Sequence, residues 1–298
     1  MLTEISAIVL PILLCASIGV IWARSGTPYD TVFVTRLVMN IGMPCLIVSS
    51  LNRMDIEVAQ FTEILLVAMA ICFMMGALAL IFIRLRGEDF RTYLPPMMFS
   101  NIGNMGLPLC FFAFGAQGLA LGMGFFITLS LISMIFAIPL IYHTTGGIKG
   151  RVTELARQPI IYAIVLSLLL LATDSKLPRW IANSVDLLGG LSIPLMLLTL
   201  GVSLAGLRVD AWKRGLSYAV LRIGGGFLLA LVAVELFDLK GAARGVTLIQ
   251  ASMPAAVTNY LLAQRYGRGP EEVAGVVVLS TLLAFLLLPF LLAFALSG

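Results

Sequence analysis

Charged residues are scarce in this chain. Asp, Glu, Lys and Arg make up 11% of its 298 residues, whereas 60% are hydrophobic and the mean hydropathy is +1.05. A soluble domain of this size would aggregate with so little charge, so we expect a polytopic membrane protein. The sequence also lacks Ser/His/Asp, HExxH, paired-carboxylate and nucleotide-binding patterns, and His143 is its only histidine. These absences argue against an intramembrane enzyme and against an ATP-driven pump.

Cysteine is rare as well, and its four copies show no metal-ligand spacing. All of them fall within apolar runs, where we expect small buried hydrophobic side chains. The sequence therefore predicts no metal site and no cofactor. The cysteines are Cys15, Cys45, Cys72 and Cys110.

Apolar runs long enough to cross roughly 30 Å of hydrocarbon are abundant. The loops between them are short, so an all-α membrane protein of ten transmembrane helices is predicted. The first run is expected to be a retained span, because the residues before it lack the basic stretch of a signal peptide. The ten runs cover 5 to 23, 29 to 51, 59 to 83, 92 to 114, 116 to 142, 159 to 173, 179 to 205, 216 to 236, 243 to 264 and 270 to 295.

Lys and Arg are concentrated in the loops that follow spans 1, 3, 5, 7 and 9. Basic loops stay in the cytoplasm, so both termini are expected outside and the longest loop, 143 to 158, inside. The net charge of +4 is then an orientation signal, and a nucleic-acid partner has no support.

Two halves of the sequence resemble each other. A shift of 150 residues brings Pro44 onto Pro194 and Pro139 onto Pro289. A repeat of five spans must enter the membrane from the opposite side the second time, so the halves are predicted to be inverted repeats. The predicted units are 1–142 for the first repeat, 143–158 for the cytoplasmic linker and 159–298 for the second repeat.

A proline within a polar stretch interrupts span 4 at Pro108 and span 9 at Pro254. Lipid cannot satisfy a freed backbone group, so irregular chain at this depth is predicted to face protein or a polar cavity. The two breaks are expected to meet antiparallel near the midplane. Each is expected to start a half-helix whose N-terminus attracts anions, with the proline near its first position.

Polar and small residues flank both breaks and are the predicted substrate-binding residues. Uncharged amides can hold a carboxylate without the cost of a buried charge. The alternative is that they only satisfy the broken backbone and that the glycine serves backbone conformation. The residues are Asn101, Gly103, Asn104, Gln250, Ser252, Thr258 and Asn259.

Charged residues inside the spans are few, and each is a functional candidate by default. Arg36 and Asp186 are the candidates for proton or ion coupling. They occupy equivalent positions in the two halves, but inversion places them at opposite depths, so they are not predicted to pair as a gate. Alternatively, Arg36 and Arg222 snorkel to the cytoplasmic surface.

Three motifs together resemble the auxin efflux carrier family, which includes bacterial malate and malonate permeases. They are the stretch from Asn101 to Leu109, the segment from Ser252 to Ala256 followed by Tyr266-Gly267, and Arg36 ahead of Met43-Pro44. The resemblance covers the whole chain. It implies a bacterial inner-membrane protein with the architecture of the related bile acid:sodium symporters.

The resemblance further implies a scaffold of spans 1, 2, 6 and 7 and a mobile domain of spans 3 to 5 and 8 to 10, with crossed helices at Pro108 and Pro254. Asn101 corresponds to the asparagine that contacts the substrate carboxylate in the family. An elevator-type mechanism and a homodimer are implied as well. Sodium coupling is left open, because the breaks carry no acidic cluster while amides and carbonyls can bind Na⁺.

These observations predict a secondary transporter of small organic anions such as malate, malonate or auxin-like acids. Two alternatives within transport are a sodium-coupled symporter of amphipathic organic acids and an ion channel. A non-transporting receptor or assembly factor is a further alternative, which the inverted breaks weigh against.

Overall fold

The computed structural model describes residues 2–52, 58–137, 157–173, 175–209 and 212–297, and this part of the chain is helical without a strand. The predicted linker 143 to 158 lies almost entirely outside these residues. The helices are α1 (Leu2–Arg24), α2 (Thr31–Leu37), α3 (Met43–Asn52), α4 (Val58–Arg86), α5 (Phe90–Met98), α6 (Leu107–Ile132), α7 (Pro159–Ala172), α8 (Arg179–Gly190), α9 (Ser192–Ala205), α10 (Trp212–Leu236), α11 (Gly241–Ala251), α12 (Val257–Tyr266) and α13 (Pro270–Ala295). Three π-helical segments adjoin them: Val38–Gly42, Ile102–Gly106 and Ser133–Ala137.

Seven helical stretches in the described chain are long and apolar enough to cross a membrane, which confirms a polytopic membrane protein. Except for Ile102–Ile135, their bounds follow the predicted runs closely, because a long apolar segment in lipid satisfies its backbone only as a helix. The seven are Thr3–Arg24, Thr31–Asn52, Gln60–Arg86, Ile102–Ile135, Arg179–Ala205, Trp212–Leu236 and Pro270–Ala295.

The remaining predicted spans are shorter or broken. The run 159 to 173 contains a short apolar helix, Pro159–Leu170. The run 243 to 264 is divided into α11 and α12, which have 11 and 10 residues and are each only about 16 Å long. The predicted runs 92 to 114 and 116 to 142 meet at Gly115, where a non-helical backbone divides the stretch Leu107–Ile132 into two helices. The φ of 62° at this residue is one that only glycine adopts easily.

The helices pack most extensively within two groups. The first group consists of α1, α2, α3, α7, α8 and α9, in which α1 packs on α9 and α3 packs on α7 and α8. The second group consists of α4, α5, α6 and α10 to α13, in which α10 packs on α13 and α6 packs on α4 and α11. The main contacts between the groups are made by α1, α3 and α9, and α9 reaches the π-helical segment Ile102–Gly106.

The helices α1 and α9 approach each other closely at two glycines. A Cβ atom on Gly201 would lie 1.9 Å from the carbonyl oxygen of Ala16, and one on Gly19 would lie 2.2 Å from that of Leu198. Small residues allow this close contact between the two backbones. Such packing stabilises helix association in a membrane, where lipid leaves no hydrophobic driving force between helices.

Gly201→Ala should therefore destabilise the protein by about 1–3 kcal/mol, because the added methyl group forces α1 and α9 apart. Gly224→Ala is the matched control. A Cβ there meets nothing within 4 Å, and alanine favours a helix over glycine by up to about 1 kcal/mol. Thermal unfolding of the detergent-purified variants measures the difference. Equal unfolding midpoints for the two variants would contradict the proposed role of this contact.

Candidate functional site

The two breaks pair with each other through their backbones. Segment 99–101 follows α5, and segment 254–256 lies between α11 and α12. We call these two paired segments the crossing. Its antiparallel hydrogen bonds run from the Asn101 N–H to the Pro254 carbonyl (2.6 Å) and from the Ala256 N–H to the Phe99 carbonyl (3.2 Å). Each break therefore satisfies polar groups that the other exposes.

The two prolines do not occupy equivalent places at the crossing. Pro254 lies in it, whereas Pro108 lies in α6, after the π-helical segment Ile102–Gly106. Asn101 pairs with Pro254 and Phe99 with Ala256, so Ser100 lies opposite Ala255, 155 residues later, rather than the 146 that separates the prolines. Pro108 lies in the first turn of α6, as predicted, although the π-helical segment precedes it. By contrast, α12 begins only at Val257, three residues after Pro254, so the predicted helix start at Pro254 is displaced.

Asn259 and Ser280 fasten the crossing. The Asn259 Nδ2 donates to the carbonyls of Phe99 (2.8 Å) and Ala256 (3.0 Å), and its side chain is buried. The Ser280 Oγ accepts the Ala255 N–H at 3.1 Å. Both side chains satisfy backbone groups, which is the alternative role that the sequence left open for Asn259.

Asn101, Ser252 and Gly103 are also buried at the crossing or beside it. The Asn101 Nδ2 has no hydrogen-bond partner in the described chain, whereas the Ser252 hydroxyl donates to the Leu248 carbonyl (2.7 Å). A Cβ on Gly103 would lie 3.1 Å from the ring of Phe126, so this glycine admits an aromatic neighbour.

Gln250 is fully buried between α11 and α6. Its Nε2 lies 3.4 Å from the Gly122 carbonyl, and its Oε1 has no partner among the described residues. A Cβ on Gly106 would lie 2.0 Å from that Oε1. The glycines beside the first break thus make room for an amide from the second.

A cavity of about 440 Å³ lies between the two groups of helices. The first group contributes Arg36 and Thr199, and the second contributes Asn104 and Thr258. Arg36 is the single residue with a formal charge among the described lining residues. The lining consists of Thr31, Val32, Thr35, Arg36, Val38, Met39, Asn104, Met196, Thr199, Val202, Ser203, Gly206, Leu207, Val257, Thr258, Tyr260 and Leu261.

The start of α12 also contributes to this cavity through Val257 and Thr258. No side chain caps the helix at Ala256. The N–H groups of Ala256 and Asn259 already donate to backbone carbonyls, which leaves those of Val257 and Thr258 and the positive end of the helix dipole for the cavity. Together with the guanidinium of Arg36, a planar group suited to carboxylates, this arrangement favours an anion.

A second cavity, of about 330 Å³, lies between α10 and α13 and is apolar. Ser252 lines it, but the hydroxyl of Ser252 is already bonded to a backbone carbonyl. This cavity therefore suits an apolar group rather than a carboxylate. Within the described residues, no group of three or more His, Cys, Asp or Glu side chains could hold a metal ion.

Arg222 was missed as a residue of the crossing. The prediction that it snorkels to the surface is wrong: it is 2% exposed and donates to the carbonyls of Met97 (2.9 Å), Ala251 (2.7 Å) and Met253 (3.1 Å). It is the eleventh residue of α10, about 15 Å along the helix, which is half the thickness of the hydrocarbon core.

A signal for Arg222 was present in the sequence. The run Gly224-Gly225-Gly226 follows it closely and permits another backbone to approach. A Cβ on Gly226 would lie 2.1 Å from the Ala251 carbonyl oxygen, so the glycine brings that carbonyl within reach of the guanidinium.

Asp186 lies away from the cavity, in the first group of helices. It is half-buried on α8 and accepts a hydrogen bond from the Ser49 hydroxyl of α3. The structure therefore brings Arg36, but not Asp186, together with the predicted substrate residues Asn104 and Thr258.

Comparisons with known proteins agree with a transport role. The model of a family described as membrane transport protein matches residues 148–292. An uncharacterized transporter of Methanocaldococcus jannaschii is 24% identical over 86% of both chains, and one of Methanothermobacter thermautotrophicus is 27% identical over 87% of both. The family and these relatives are described as transporters rather than enzymes.

Asn259→Ala should lower the free energy of unfolding by about 1–3 kcal/mol, because two buried hydrogen bonds at the crossing are lost. Asn104→Ala is the control, since Asn104 is half-buried and makes no side-chain hydrogen bond in the described chain, so a change within about 0.5 kcal/mol is expected. Thermal unfolding in detergent compares the two. If both variants unfold like the unmodified protein, Asn259 does not fasten the crossing.

Proposed function

We propose that this chain is a member of the membrane transport protein family whose model matches residues 148–292, and that it is a secondary transporter of small organic anions, chiefly carboxylates. The observation that carries the proposal is the cavity of about 440 Å³, in which Arg36 is the single charge among the described lining residues. A cavity of this size fits a small organic acid, and its charge selects anions.

In this proposal the substrate carboxylate binds to Arg36 and to the uncapped start of α12, while Asn104 and Thr258 supply further hydrogen bonds. Apolar lining residues such as Met39 and Met196 receive the rest of the acid. Asn101, which the family resemblance implies as the carboxylate contact, lies one helical turn before Asn104 and keeps an unpaired Nδ2. It remains a second proposed contact.

We further propose ten transmembrane helices in two inverted five-helix repeats. The first group of helices matches the implied scaffold of spans 1, 2, 6 and 7, and the second group matches the implied mobile domain. The cavity has walls from both groups, as an elevator-type carrier requires. A homodimer and an inner-membrane location with both termini outside are part of the proposal.

With this orientation the cavity opens to the cytoplasm. Its lining extends to Thr31, the first residue of α2, and to Gly206, just after α9, and both are next to loops that the charge distribution places inside. The structure would then represent an inward-facing state.

Sodium-coupled symport of amphipathic acids is the alternative that the apolar part of the cavity favours, since it would receive a larger hydrophobic body. A proton is the other coupling ion to consider. Imposed Na⁺ and H⁺ gradients distinguish these couplings from a uniport, and an ion channel would show no counterflow.

Arg36→Ala should weaken the apparent affinity for the transported acid roughly 10- to 100-fold, because a charge-assisted hydrogen bond contributes about 1.5–3 kcal/mol. Counterflow of labelled malate, malonate, lactate and indole-3-acetate in proteoliposomes measures it. Arg36→Lys should lose less affinity, since lysine keeps the positive charge but lacks the planar, two-pronged guanidinium.

Arg24→Ala is the matched control for this experiment. Arg24 is exposed at the end of α1 and does not line the cavity, so its removal should leave the affinity unchanged. Counterflow of no acid by the unmodified protein would refute the proposed function. Equal affinities of Arg36→Ala and Arg24→Ala would place the anion elsewhere.

A further inference from the structure

Arg222 lies where α5 and α11 end, which are the helices that precede the two breaks. Met97 is in the last turn of α5, Ala251 is the last residue of α11, and Met253 follows two residues later. The guanidinium donates to the carbonyls of all three residues. The residue is 2% exposed, so these contacts are made away from solvent.

The carbonyls at these ends carry negative partial charge. The last carbonyls of a helix lack intrahelical donors, and the dipoles of α5 and α11 both direct their negative ends to this point. In the described chain no carboxylate forms an ion pair with Arg222, so backbone oxygens alone balance its charge. The crossing is therefore built to hold a positive charge.

Backbone carbonyls at broken helices are also the ligands that hold Na⁺ or K⁺ in membrane proteins. A cavity that adjoins both Arg222 and Gln250 measures about 10 Å³, which is room for about one water molecule. An alkali ion with part of its hydration shell does not fit beside the guanidinium.

We infer that Arg222 is a built-in cation that takes the place of a bound alkali ion at the crossing. The protein then needs no Na⁺ or K⁺ at this position, either for stability or for the transport cycle. The second part of this inference rests on the proposed function, whereas the first does not.

The first test is thermal unfolding, which needs no substrate. Arg222→Ala removes the cation and leaves the three carbonyls, so its unfolding midpoint should be lower than that of the unmodified protein in choline chloride. It should rise saturably when NaCl or methylguanidinium chloride replaces choline chloride at constant ionic strength. The unmodified protein should show no such rise.

Arg244→Ala is the matched control. Arg244 also donates to a backbone carbonyl, that of Phe294 at 3.1 Å, but the residue is only half-buried and its hydrogen bond is exposed. Its removal should create no dependence on cations. Arg222→Lys keeps a positive charge at the crossing and should likewise remain insensitive to Na⁺, which gives a second variant if Arg222→Ala does not fold.

Counterflow then tests the transport cycle. The unmodified protein should carry its acid equally well in choline and sodium media, and Arg222→Ala should lose flux in choline and regain it with Na⁺ or methylguanidinium. The inference is overturned if the unmodified protein needs Na⁺ for stability or flux, or if Arg222→Ala folds and responds to neither cation. If the unfolding pattern holds but no acid is transported, the inference about the site stands and the proposed function fails.

Discussion

The structure depends on satisfying the backbone where two helices are interrupted inside a membrane. Lipid offers no hydrogen bonds, so every N–H and C=O freed by an interruption needs a partner from the protein. The crossing provides those partners in three ways: the breaks pair with each other, Asn259 and Ser280 bond to the backbone, and Arg222 donates to carbonyls at both helix ends. Each partner comes from a different helix, so the local need for hydrogen bonds organises the whole second group.

The helix breaks also place negative and positive helix ends on different sides of the crossing. The first half-helices end at Arg222, which neutralises their negative ends, whereas the start of α12 faces the cavity that contains Arg36. A substrate anion in the proposed site would thus encounter the N-terminus of α12 and the guanidinium of Arg36 on one side of the crossing, while the carbonyls on the other side already have a cation. Arg222 thus neutralises the negative helix ends at the crossing, whereas Arg36 lies in the cavity beside the positive end of α12.

Much of this arrangement could be predicted from the sequence. Long apolar runs fix the helices, and a proline within polar residues fixes the second break, because such features have few structural solutions in lipid. The first break could not be placed by Pro108, since a π-helical segment accommodates the proline and the chain interruption falls earlier. Arg222 was misassigned because its partners are backbone carbonyls, which leave no mark in a sequence beyond the glycines that admit them.

The cavity has walls that belong to separate packing groups, with Arg36 on one and Asn104 and Thr258 on the other. Any sliding of one group past the other must therefore change the separation between the guanidinium and the amide. In the proposed mechanism the displacement that carries the anion across would also pull apart the residues that hold it. Release on the far side would then follow from geometry alone, without a separate chemical trigger.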